Sequence, residues 1–97
     1  MDKYARHIEI CDELNDVYVR KNKDYGNSFG NMFQKLGIIS AITRIGDKYY
    51  RLENLCTKSD DERLVPDESI IDTLKDMANY AIMSLIELEI QNEKRND

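Results

Sequence analysis

Residues 70–88 read IIDTLKDMANYAIMSLIEL, and their spacing decides the fold. Ile70, Leu74, Met77, Ala78, Ala81, Leu85 and Leu88 recur at intervals of three and four, the signature of one helical face. From Met77 to Ile86 the segment is apolar nearly all round, which predicts burial on two sides. A three-helix monomer leaves one of those sides bare, so a helical partner from another subunit is the expected cover. This helix is predicted from Asp67 to Asn92. Pro66-Asp67-Glu68-Ser69 opens it with acids in the first turn, and a polar, frayed tail, 91–97, follows.

Working outward, a polar linker, 57–66, separates this helix from a second one predicted over Ile38–Leu55. Ile38, Ala41, Ile42, Ile45, Tyr49, Leu52 and Cys56 form its core stripe. A first helix is predicted from about Asp2 to Lys21, with Tyr4, Ile8, Cys11, Leu14 (or position 15 by a strict heptad) and Tyr18 on its apolar side. Between them, residues 22–31 are rich in Gly and Asn and read as a polar loop. A short helix or turn around Met32–Leu36, closed by Gly37, follows. The expected fold is all-α: an antiparallel bundle of three long helices plus a short helix or turn, one domain over 1–97, completed by oligomerisation.

No strand alternation, repeat or low-complexity tract interrupts this pattern. With 41% apolar and 34% charged residues, the chain has the composition of a folded protein. No run reaches the roughly 18 apolar residues of a membrane span, and the N-terminus lacks an apolar leader, so no membrane association and a cytoplasmic location are expected. Cys11 and Cys56 both fall in apolar stripes and read as reduced core thiols. His7, beside Cys11, reads as a partly buried histidine.

The net charge of −5 argues against non-specific nucleic-acid binding. Its distribution is uneven. Residues 20–58 carry eight Lys/Arg against three Asp/Glu, whereas the rest carries six against sixteen. A basic middle in an acidic chain suits a small anionic ligand, or equally a middle helix that pairs with acidic neighbours.

Three groups of residues can carry chemistry. Lys21, Asn22, Asp24 and Tyr25 stand where the first helix ends. Lysine offers a point charge for phosphate, Asn and Asp can read a base or ribose edge, and Tyr can stack on a base. Helix capping accounts for Lys21 and Gly26 but does not require the other three. Arg44, Lys48 and Arg51 place three cations along one line of the second helix, suited to phosphates or to ion pairs. Asp72, Asp76 and Asn79 are spaced by four and three on the third helix, in a row that continues into Met83 and Ile86. Two carboxylates one turn apart can share Mg²⁺, with Asn79 as a further oxygen donor; acids at this spacing are also common on solvated faces. No phosphate loop, nucleophile elbow, zinc pattern or Cys-His arrangement occurs.

Tyr18-Val-Arg-Lys21-Asn22-Lys-Asp24-Tyr25-Gly26-Asn-Ser28-Phe29, Ile45-Gly-Asp47-Lys48-Tyr-Tyr-Arg51-Leu52 and Glu68-Ser69-Ile-Ile-Asp72-Thr73-Leu-Lys-Asp76-Met-Ala-Asn79-Tyr80-Ala81-Ile82 resemble the nucleotide modification associated domain 1 family, common among phage and prophage proteins. The resemblance implies a role in nucleotide metabolism or modification. A more distant similarity is to all-helical nucleotide pyrophosphohydrolases of the MazG and dimeric dUTPase type, which hold Mg²⁺ with two acidic pairs. There Asp76 matches the Asp of the second pair, Thr73 stands where its Glu would be, and the second helix has no first pair. Glu9, Asp12, Glu13 or Asp16 of the first helix would then have to supply it.

The leading expectation is a phage-type, homo-oligomeric nucleotide-binding protein that sequesters a nucleotide signal of host defence or serves nucleotide modification. Lys21, Arg44, Lys48 and Arg51 would hold phosphates, and Asn22, Asp24, Tyr25, Asp76, Asn79 and Tyr80 would shape the base and ribose side. One alternative is Mg²⁺-dependent triphosphate cleavage with Asp72 and Asp76 on the metal. The other is a non-catalytic adaptor whose polar blocks specify an oligomer.

Overall fold

The computed structural model describes residues 1–59 and 68–96. They form four helices and no strand: α1 (Lys3–Tyr25), α2 (Ser28–Leu36), α3 (Ile38–Thr57) and α4 (Glu68–Asn96). The all-α expectation holds, with three boundary corrections. Most of the linker 57–66 and the Pro66-Asp67 start lie outside the described residues.

The first correction concerns the polar loop 22–31, which is almost entirely helical. Only Gly26 and Asn27 separate α1 from α2. Polar side chains do not themselves break a helix; a residue that leaves the right-handed region does. That residue is Gly26, with φ 69° and ψ −162°, whose N–H donates to the carbonyl of Asn22 at 2.9 Å. Gly37 repeats the device between α2 and α3, with φ 77° and ψ −165° and an N–H donated to Phe33 O at 2.7 Å. Secondly, the tail 91–97 is not frayed from its start: α4 remains helical through Asn96. Thirdly, α3 extends to Thr57.

The central strut is α4, which touches all three other helices. Its contact with α3 is the most extensive, α2 lies against both, and α1 is held more lightly. Lys21 of α1 reaches Asp76 and Leu14 meets Asn79, so α1 runs antiparallel to α4. Phe29 stacks on Tyr80 and Gln34 bonds Glu87, so the short α2 runs parallel to it.

The face of α4 that packs inward overlaps only in part with the expected stripe, of which Ile70, Met77, Ala78 and Leu88 are half-buried. Leu74 and Leu85 are 50% and 62% exposed, and Ala81 is exposed as well. Thr73, Ser84 and Glu87 are buried instead. A polar side chain can be buried once its hydrogen-bonding groups are paired. Thr73 Oγ1 donates to Ser69 O and Ser84 Oγ to Tyr80 O, each at 2.6 Å, and Gln34 Nε2 donates to Glu87 Oε1 at 2.9 Å. These small hydroxylated residues take buried positions on α4, while Leu74 and Leu85 are left exposed.

The interior is correspondingly thin. Among the described residues, the buried apolar side chains are Leu14, Phe33 and Ala41. The α1 stripe is mostly open: Tyr4 is 89% and Ile8 63% exposed. Cys11 and Cys56 are free and exposed, not core thiols, and His7 is exposed too. On α3, Ala41 is buried, but Ile38, Ile42 and Tyr49 remain about half exposed.

Three glycines separate backbone strain from helix propensity. The backbone of Gly26 and Gly37 lies in a region essentially reserved for glycine, so Gly26→Ala and Gly37→Ala each lose about 1–3 kcal/mol. Gly46 is helical with nothing within 4 Å of an added Cβ, so Gly46→Ala gains roughly 0.5–1 kcal/mol. Urea denaturation of the three variants checks both signs.

Candidate functional site

The last turn of α1, the first turn of α2 and the middles of α3 and α4 meet at one recess of about 130 Å³. Gly26 creates it. By turning the chain within two residues, it places the end of α1 and the start of α2 side by side against α4.

Asp76 is the centre of the charge arrangement. Lys21 Nζ donates to its Oδ1 at 3.2 Å, and Lys48 Nζ lies 3.0 Å from its Oδ2. One carboxylate therefore bridges lysines from α1 and α3. Partial burial pushes its pKa up, but hydrogen bonds and Coulombic attraction from Lys48 and Lys21 outweigh that, and the net shift is downward. Arg44 also lines the recess and has no ion pair among the described residues. With Lys21, Lys48 and Arg44 against Asp76, the site carries an excess of two positive charges.

The opposite wall is aromatic. Phe29 and Tyr80 stack with ring centroids 5.7 Å apart and planes at 24°, and Tyr18 and Tyr25 complete the lining. Tyr25 is 74% exposed, so its ring is open to a ligand. Asn22, Asn27 and Asn79 supply amides. Asn79 Nδ2 donates to the carbonyl of Leu14 at 3.1 Å, which leaves its Oδ1 available as an acceptor. Asn27 precedes α2 but makes no side-chain capping bond. The first N–H groups of α2 thus lack an intrahelical partner, and Ser28 and Phe29, which carry two of them, line the recess.

The structure brings together Lys21, Asn22, Tyr25, Arg44, Asp76, Asn79 and Tyr80, with Lys48 joined through Asp76. It leaves out three expected residues. Asp24 is exposed and absent from the lining. Arg51 is exposed one turn beyond Lys48 and does not line the recess. Asp72 is exposed and also absent from the lining. The apolar spacing put Tyr18 in the core, and Asn27, Ser28 and Phe29 carried no signal as site residues. Only the fold over Gly26 reveals them.

A Mg²⁺ site built on Asp72 and Asp76 does not fit this donor set. Both oxygens of Asp76 already face ammonium groups, and among the described residues no three His, Cys, Asp or Glu cluster for a metal. A divalent cation here would sit beside two lysines.

The lowered pKa of Asp76 fixes a pH signature. Its stabilising contribution is present above the ordinary aspartate value of about 4 and is lost as pH falls through the lower folded value. At pH 7 the wild-type denaturation midpoint should exceed that of Asp76→Asn, and the gap should close below about pH 3. A gap of equal size at both pH values would contradict the bridging role.

The nucleotide modification associated domain 1 family model matches residues 21–88, a span that contains every lining residue of the recess except Tyr18. No curated protein and no solved structure matches the chain, and the distant resemblance to the pyrophosphohydrolases gains no support. No helix among the described residues is long and apolar enough to cross a membrane. With the match starting at Lys21 and running through Asp76, Asn79 and Tyr80, the chain belongs to the nucleotide modification associated domain 1 family.

Proposed function

We propose that this protein binds a small phosphate-bearing nucleotide in the recess around Asp76, without itself cleaving it. The observation that carries the reading is the pairing of two lysines on one carboxylate beside an open arginine and an aromatic wall. In the empty site, Asp76 serves as an internal anion that holds Lys21 and Lys48 in place. A phosphate offers the same ammonium groups a second acceptor, and Arg44 adds a planar fork for its oxygens. The excess of two charges matches a terminal phosphomonoester. Tyr25 supplies a face for the base, and the free acceptor of Asn79 with the amide of Asn22 supplies edge contacts.

The family description is consistent with a nucleotide-linked role. Sequestration of a nucleotide signal in a phage setting, or service to a modification pathway, are two uses of such a binder. Both need a bound nucleotide and neither needs a metal-activated water.

Isothermal calorimetry against nucleoside mono-, di- and triphosphates, dinucleotides and cyclic nucleotides tests the reading. Lys21→Ala and Arg44→Ala should each weaken the best ligand about tenfold, or about 1.4 kcal/mol. Asp24→Ala and Arg51→Ala, outside the recess, should leave it unchanged. Asp76→Asn separates binder from hydrolase: phosphate binding should persist, because the cations that contact phosphate remain, whereas an enzyme that needed the carboxylate for Mg²⁺ would lose its turnover. No ligand tighter than about 1 mM, near −4 kcal/mol, would overturn the proposal.

A further inference from the structure

We propose that a second copy of this chain seats on the outer α1–α4 face, two antiparallel helix pairs closing into a four-helix arrangement. The starting point is the α1 stripe. Tyr4, Ile8, Cys11, Asn15 and Tyr18 step by four, three, four and three residues, a heptad seam. A seam of this spacing is built to be covered, yet within the protomer Tyr4, Ile8, Cys11 and Asn15 are exposed. Beside it on α4, Ile82, Leu85 and Ile86 are 43%, 62% and 39% exposed.

Between the two helices lies a second recess of about 240 Å³, lined by Cys11, Asn15, Tyr18, Ile82, Met83 and Ile86 with Asn79. None of these is charged, in a chain that is 34% charged. Such a surface favours an apolar occupant over an ion or a polyanion. Asn15 sits in the seam, where a single polar residue sets register and copy number.

Area argues that the occupant is the chain itself. The accessible surface is 7658 Å², about 1,900 Å² above the roughly 5,800 Å² of a compact monomer of this mass. That excess is spread over the whole surface, and it exceeds the roughly 800 Å² that a stable interface takes from each partner. A protomer with so thin an apolar interior needs its cover whenever it is folded, and a second copy is always available.

The two recesses share Tyr18, Asn79 and Met83. A copy seated on this face therefore becomes the back wall of the nucleotide recess. The face is defined by surface geometry and forms without any ligand.

The natural cysteines provide the test. Cys11 lies on the proposed face and Cys56 on α3, away from it, and both are exposed in the protomer. Full-length protein is treated with N-ethylmaleimide, modification at each site is followed by mass spectrometry, and mass is measured by sedimentation. The expected result is a two-copy mass or a multiple of it, with Cys11 modified at least tenfold more slowly than Cys56. Ile86→Asp should yield single copies and bring Cys11 up to the rate of Cys56. Should that variant fail to fold, the wild-type rates and mass decide alone. A single-copy wild type, equal rates, or protection of Cys56 with Cys11 open would overturn the proposal.

Discussion

The structure turns on one carboxylate. Asp76 projects from the middle of α4 and accepts from Lys21 at the end of α1 and Lys48 on α3. These helices make their contact through α4, so this bridge is where both register on the central strut. Because Asp76 retains some solvent access, the bridge is worth modest stability. Its greater consequence is positional. It keeps two ammonium groups a few ångströms apart, beside Arg44, at the mouth of a recess whose other wall is aromatic. A protein with few buried apolar groups has little else to hold such a cluster in place.

The turn at Gly26 supplies the second constraint. A backbone excursion that few side chains tolerate lets α1 stop and α2 begin within two residues. Tyr25, Ser28 and Phe29 are thereby drawn to one spot, and Phe29 can stack on Tyr80. Fold and site thus have the same origin. The bend that packs α2 against α4 also places its uncapped N-terminus and the α1 cations around one space.

The sequence made the helices legible and several of their faces illegible, for identifiable reasons. Apolar spacing finds helices well because 3.6-residue periodicity is a property of the backbone. It identifies an apolar face without saying whether that face meets another helix of the same chain. On α4 the Leu74/Leu85 face was expected to be core, but Thr73 and Ser84 take the close packing, their hydroxyls satisfied one turn back. On α1 a core-like stripe remains largely open, with Cys11 exposed in it. The candidate site residues fall differently. Lys21, Asn22, Tyr25, Arg44, Asp76, Asn79 and Tyr80 line one recess, because helical spacing and the turn at Gly26 bring three separate segments together. Asp24 was grouped with them by its place at the end of α1, and Arg51 and Asp72 by helical spacing, but none of the three lines the recess. The absence of bonded partners for Arg44 among the described residues, and the double engagement of Asp76, could be seen only in three dimensions.

The most direct test of the anion site is nuclear magnetic resonance of the lysine side-chain ammonium groups during titration with a nucleoside monophosphate. Lys21 and Lys48 should shift together, along with the ring signals of Tyr25, Phe29 and Tyr80, while the other lysines stay still. Shifts confined to lysines outside the recess, or none at millimolar ligand, would contradict the anion site.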